Sequence, residues 1–192
     1  RFLKKERKTL KENDALLYIE GLEIELKANM SIDVDGREQM VRFVGIIDRI
    51  DNYEDGIRII DYKSGTCEQG DVTIKSFSTD KTSPPVDKLI KNIKNQKYVL
   101  QLLIYNWMYH EKYGSYPSRT GIISMVNVNE GPFYMKNDLT EDLDSLMLLF
   151  QEGLSQIIGD LFNTEETIQR LMEKEELPNK IFGIMQLQGL NV

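Results

Sequence analysis

The sequence holds one cysteine, Cys67, and one histidine, His110, in 192 residues. A single thiol excludes an internal disulfide framework and any multi-cysteine zinc or iron–sulfur cage within this chain. That usage is compatible with a reducing compartment, and the expected location is cytoplasmic. No apolar run reaches the roughly 18 residues of a membrane-spanning helix, so no membrane is expected among its partners. The glycine-rich loop G-x-x-x-x-G-K-[ST] is absent, and without it the chain is not expected to hydrolyse ATP by itself. Excess positive charge is missing too. Lys and Arg number 24 against 31 Asp and Glu, a net charge of −7. This excludes a uniformly basic nucleic-acid binder but leaves room for a local basic surface on an acidic body.

What is present is the composition of a soluble globular chain, 41% apolar and 29% charged, with length for one domain and a real core. The sequence starts Arg1-Phe2-Leu3-Lys4 without a methionine or a secretory signal, so the native chain is expected to extend upstream. Charge is uneven. Residues 1–11 carry six basic residues against Glu6, whereas residues 129–176 carry twelve acids against Lys136, Arg170 and Lys174.

Residues 1–11 read as the end of a helix. Residues 18–33, 40–50 and 57–62 read as three strands joined by tight turns at Asp35-Gly36 and Asp55-Gly56, a meander. Residues 64–87 are rich in Gly, Ser, Thr, Asp and Pro and read as a loop or flap, closed by the breaker Ser83-Pro84-Pro85. One long helix is predicted from about 86 to 112, stopped by Gly114 and Pro117. A buried strand follows from Gly121 to Val128. Residues 139–158 form an amphipathic helix with Asp138 as its cap, and residues 164–176 a shorter acidic helix. The tail from Pro178 has no clear pattern.

The residues that carry chemistry sit in Gly45-Ile-Ile-Asp48-Arg49-Ile-Asp51 and Ile59-Ile60-Asp61-Tyr62-Lys63-Ser64-Gly65. Alternation along a strand puts Asp61 and Lys63 on one face. The hairpin turn near 52–56 lets the two strands run side by side, so Asp48 and Asp61 can meet the same ion. Hard cations such as Mg²⁺ take oxygen ligands, and one or two carboxylates are a normal protein share. A neighbouring lysine is a point charge that stabilises developing negative charge. Spacing alone leaves two readings open: a phosphodiester-hydrolysis site, or a salt-bridge cluster at the end of a hairpin.

The pattern G-x-x-D-R-I-D, a short hairpin, then I-D-Y-K-S-G resembles the PD-(D/E)XK nuclease superfamily, and within it the RecB-like branch. Gln101-Leu-Leu-Ile-Tyr105 is similar to that family's Q-x-x-x-Y pair, whose i and i+4 positions share a helix face. The three motifs cover about residues 40–110. The resemblance implies a restriction-endonuclease-like α/β fold, with a central mixed β-sheet flanked by helices. It makes residues 1–192 one nuclease domain, expected as a C-terminal fragment of a larger protein and lacking the upstream part of the fold.

The same resemblance implies a Mg²⁺- or Mn²⁺-dependent deoxyribonuclease, expected as an exonuclease, in DNA repair and recombination. Asp48 and Asp61 would hold the metal, helped by the main-chain carbonyl of Tyr62. Lys63 would orient or activate the attacking water, and Gln101 and Tyr105 would support the site. The implied partners are DNA and a helicase subunit or fused helicase domain. An iron–sulfur cluster, present in many relatives, is not expected here.

A third metal contact, usual upstream in the branch, is expected before Arg1 or from Glu20 or Glu23. His110 follows the motifs and reads as a partly exposed helix residue. Arg49 is expected to pair with a neighbouring acid, and Tyr62 to pack with its hydroxyl near the rim. Lys88, Lys91, Lys94 and Lys97 recur every three residues and offer a phosphate-binding face, or an ordinary solvated one. The rival function is a DNA-binding or assembly module with a weak or vestigial site.

Overall fold

The computed structural model describes residues 2–34, 37–54, 56–76, 82–140 and 142–162. In chain order its elements are α1 (Phe2–Glu12), β1 (Leu17–Val34), β2 (Arg37–Tyr53), β3 (Gly56–Lys63), a 3-10 turn (Gln69–Val72), β4 (Thr73–Ile74), α2 (Pro85–Asn95), α3 (Val99–Tyr113), β5 (Arg119–Ser124), β6 (Phe133–Tyr134), β7 (Lys136–Asn137) and α4 (Leu143–Phe162). The main sheet has the order β1-β2-β3-β5-β6. The meander forms as expected, with β1, β2 and β3 antiparallel. β5 then enters parallel to β3, and β6 pairs antiparallel to β5. β4 and β7 make a separate parallel pair. This is the mixed sheet flanked by helices of a restriction-endonuclease-like α/β fold.

The central strand β3 is covered on both faces, which explains its run of buried residues Arg58, Ile59, Ile60 and Asp61. Ile59 belongs to the larger core with α2, α3 and α4, built around Trp107, Met108 and Phe150. Ile60 faces the other way, into a small cluster with Ile123, Val128, Tyr62 and Phe2 of α1. Phe2, Glu6 and Leu10 recur every four residues along α1 and, with Lys5, are its half-buried residues. α3 is buried nearly all round, from Val99 to Tyr109. It ends where Gly114 adopts φ 74° and donates its N–H to His110 O at 2.8 Å, a left-handed cap suited to glycine. Gly121 answers to a close approach: a Cβ there would lie 2.6 Å from Phe133 O in β6.

Three boundaries differ from the sequence prediction. The single helix over 86–112 is two helices. Gln96 donates its N–H to Asn92 O at 2.7 Å and then turns extended, with φ −97° and ψ 123°. Tyr98 N–H bonds to Asp71 O at 3.1 Å, so the 3-10 turn takes a main-chain group that a continuous helix would have used internally. The strand predicted to run to Val128 stops at Ser124. Its hydroxyl donates to Gly65 O at 2.8 Å and accepts from Val126 N and Asn127 N at 3.2 and 3.1 Å, turning the chain. The last helix is capped by Asp142 rather than Asp138: its carboxylate accepts from Ser145 N at 2.7 Å. Within the span 64–87, the 3-10 turn and β4 add short regular structure. The acidic helix at 164–176 and the tail from Pro178 lie outside the described residues.

Candidate active site

Asp61 lies one residue from the end of β3's pairing with β2, where Arg49 faces Ile60. Extending that register by one residue sets Asp48 opposite Asp61. The Asp48 carboxylate closes the step: its Oδ2 accepts Tyr62 N–H at 2.7 Å. Among the described residues no group bonds to its Oδ1. Strand alternation then delivers Lys63 to the Asp61 side and Tyr62 to the other. Lys63 Nζ stands 2.8 Å from Asp61 Oδ2. Tyr62 stacks edge-on against Phe2, and its hydroxyl accepts from Arg49 at 2.9 Å, so it packs on the α1 face rather than at the rim of the site.

α3 supplies the other wall. Gln101 Nε2 donates to Asp61 Oδ1 and to the Tyr105 hydroxyl, both at 2.7 Å. The Tyr105 hydroxyl donates in turn to Ile46 O at 3.0 Å, with Asp61 Oδ1 a further acceptor at 3.3 Å. The i and i+4 pair thus grips one carboxylate oxygen. The other, Oδ2, is buried and takes no hydrogen bond of good geometry; the Lys63 ammonium is its neighbour. Asp61 is 3% exposed and the Lys63 side chain 25%. Burial raises the Asp61 pKa above the ordinary aspartate value. Lys63 pulls it down, Asp48 pushes it up and Tyr105 pulls it down. Burial beside this carboxylate also pushes the Tyr105 phenol up, so it stays a neutral donor.

This donor set suits a hard divalent cation. Asp61 Oδ2 is an under-bonded buried oxygen, a second carboxylate stands across the ladder, and two protein carboxylates are a usual share for Mg²⁺. The set stops at two. Among the described residues no group of three or more His, Cys, Asp and Glu is placed to hold a metal ion. The upstream candidates do not complete it. Glu23 falls opposite Asp48 in the β1–β2 register, between the pairs Leu22–Arg49 and Ile24–Ile47, but it is exposed and has φ 52°. Glu20 falls at the register shift between Ile19 and Gly21. His110 stacks on Tyr116 at 4.2 Å and sits 4.0 Å from Glu111, as a partly exposed helix residue.

The basic residues divide. Lys91 and Lys94 are exposed and Lys88 half-buried on α2, while Lys97 occupies the break between α2 and α3. Lys97 Nζ donates to Thr66 O at 3.4 Å and lies 4.8 Å from the centre of the Tyr98 ring. The Tyr98 hydroxyl beside it raises the Lys97 pKa. The structure therefore brings together Asp48, Asp61, Lys63, Gln101 and Tyr105, and sets Lys97 against Thr66 in the loop that follows Lys63.

Behind the site, Arg49 and Asp51 of the same motif build a buried network on the α1 face. Arg49 binds Glu6 at 2.8 Å and Asp51 at 2.6 Å. Arg58 forks onto Asp51 at 2.8 and 3.0 Å and reaches the Tyr134 hydroxyl at 2.8 Å. Burial works against the Arg49 charge, but the hydrogen bonds to Glu6 and Tyr62 and the nearby Asp51 charge more than offset it, and its pKa rises. Glu6 has no motif of its own in the sequence. Two further residues were missed, Asn92 and Asn127. Asn92 had a signal: it is polar within the apolar stripe Val86, Leu89 and Ile93.

Comparison with known proteins agrees with this geometry. The profile described as the PD-(D/E)XK nuclease superfamily matches residues 1–169. No curated protein matches the chain.

Proposed function

Because the chain belongs to the PD-(D/E)XK nuclease superfamily, we propose that it is a Mg²⁺- or Mn²⁺-dependent deoxyribonuclease of the RecB-like branch. It would act as an exonuclease in repair or recombination, beside a helicase that would supply ATP hydrolysis. The supporting observation is the division of labour on Asp61: Oδ1 is held by Gln101 and Tyr105, and Oδ2 is turned towards Lys63 with Asp48 across the ladder.

Asp48, Asp61 and the main-chain carbonyl of Tyr62 would hold the cation. When bound, it would supply charge neutralisation at the phosphate and a more acidic water. The remaining work falls to side chains. Gln101 fixes the Asp61 rotamer by donating to Oδ1, backed by a Tyr105 hydroxyl shared between that oxygen and Ile46 O. Lys63 donates to the attacking water or to a phosphate oxygen, and its charge offsets the charge gathering there. Lys88, Lys91, Lys94 and Lys97 would contact the phosphate backbone and read no bases.

The test is cleavage of linear double- and single-stranded DNA by the purified chain with Mg²⁺, Mn²⁺ or EDTA, beside Lys63→Ala and Asp61→Ala. Cation-dependent cutting lost in both variants supports the reading. A second reading is a DNA-binding or assembly module with a weak site. The two-carboxylate donor set favours it, because among the described residues no third His, Cys, Asp or Glu joins Asp48 and Asp61. DNA binding without cutting under every cation would select that module.

A further inference from the structure

We propose that Tyr98 is a positioning residue for Lys63, its ring forming a shelf that holds Lys63 and Lys97 together at the mouth of the site. This rests on the nuclease reading above and adds to it a residue that belongs to none of the three motifs.

The shelf is fixed from behind. Tyr98 is 8% exposed and packs with Val72, Leu102, Ile122 and Phe133. Its main chain is tied to the 3-10 turn through the bond from Tyr98 N–H to Asp71 O. The helix break that makes this bond possible is also what places Lys97 beside the ring. Lys63 Nζ stands 5.4 Å from the ring centre and Lys97 Nζ 4.8 Å. Both distances lie within the range where an ammonium is drawn to an aromatic face. The two cations reach the ring from different elements, one from the end of β3 and one from the α2–α3 break.

Lysine needs such help. Its chain rotates freely, and ordering it costs side-chain entropy. Asp61 gives Lys63 a single contact, at 2.8 Å and without good hydrogen-bond geometry. The ring is a second contact from another direction. It also places electron density beside two like charges that otherwise repel. Without it, Lys63 has solvent to swing into.

Two measurements test this on the full chain. In protein labelled at lysine, the Lys63 side-chain methylene proton shifts are expected upfield of free-lysine values, through the Tyr98 ring current. The displacement should persist in Tyr98→Phe and vanish in Tyr98→Leu. In DNA cleavage, Tyr98→Leu should lower kcat by about tenfold or more with KM little changed, and Tyr98→Phe should restore it. Lys63 shifts at free-lysine values in the wild-type protein overturn the proposal, and they do so even if Tyr98→Leu fails to fold. A folded Tyr98→Leu with wild-type kcat overturns it as well. A wild-type chain that cuts no DNA under any cation sinks the nuclease reading instead, while displaced Lys63 shifts would still establish the shelf.

Discussion

At the scale of the residue, Asp61 is a carboxylate whose two oxygens do different things. Oδ1 is held by Gln101 and by a Tyr105 hydroxyl shared with Ile46 O, and Oδ2 faces Lys63 without a hydrogen bond of good geometry. Burial of a charge with too few partners costs stability, and the raised pKa expresses that cost. The folded state holds the Asp61 proton more tightly than the unfolded chain does. This group's contribution therefore favours folding at low pH, and it is lost as pH rises from the ordinary aspartate value, 3.8, through the raised folded-state value. Asp61→Asn removes that dependence. In EDTA its melting temperature should exceed the wild-type value at neutral pH, with the gap closing towards pH 4, while cleavage is lost. An unchanged gap across that window would assign the raised stability to something other than Asp61 ionisation. Asp51 is the opposite case. It is 0% exposed, but Arg49 and Arg58 satisfy both its oxygens. Asp51→Asn leaves two buried guanidinium groups short of charge, and it should cost about 3–5 kcal/mol in urea denaturation.

At the scale of the element, the loop from Ser64 to Lys75 is shaped by two asparagines acting as strand substitutes. Asn92 accepts from Lys75 N at 2.8 Å and donates to Lys75 O at 2.9 Å. Asn127 accepts from Cys67 N at 3.3 Å and donates to Cys67 O at 2.7 Å. Each carboxamide pairs both main-chain groups of one loop residue, as a neighbouring strand would. Asn92→Ala strips that pairing from a buried site and should cost about 1–3 kcal/mol, with faster hydrogen exchange at Lys75 N–H as the local sign. Such clamps also explain what the sequence could and could not reveal. The meander was legible because alternation and two turn dipeptides are local signals. So was the placement of Asp48, Asp61 and Lys63, which follows from strand period and a short hairpin. Gln101 and Tyr105 were legible because they share a helix face. The break at Gln96–Tyr98, the end of β5 at Ser124 and the cap at Asp142 were not. The first two are made by bonds to Asp71 and Gly65, residues far along the chain, and the third by a choice among neighbouring acids that only the fold makes.

At the scale of the molecule, the sheet separates two kinds of charge. On the α3 face, Asp48, Asp61 and Lys63 form the candidate site, where Asp61 Oδ2 pairs with the Lys63 ammonium at 2.8 Å without a hydrogen bond of good geometry. On the α1 face, Glu6, Arg49, Asp51 and Arg58 form a network of equal opposite charges. One motif, Asp48-Arg49-Ile-Asp51, feeds both, so a buried ion-pair network stands directly behind the proposed chemistry. The net charge of −7 sets the remaining problem, because a polyanion approaching this body is repelled except where lysines gather. With the helix broken, the four lysines no longer form one continuous face: Lys97 stands at the site, and Lys88, Lys91 and Lys94 ride on α2. Counterion release turns this into a measurement. In EDTA, where binding is read without cutting, log affinity for DNA should fall linearly with log salt. Each lysine that meets a phosphate should contribute about 0.9 to the slope on duplex and about 0.7 on single strands. Lys97→Ala is expected to flatten the slope by about one such step on either substrate. Lys88→Ala and Lys91→Ala will do the same only if the backbone continues along α2. A Lys97→Ala slope equal to wild type would take the helix break off the DNA path, and unchanged slopes in Lys88→Ala and Lys91→Ala would leave the α2 lysines as a solvated face.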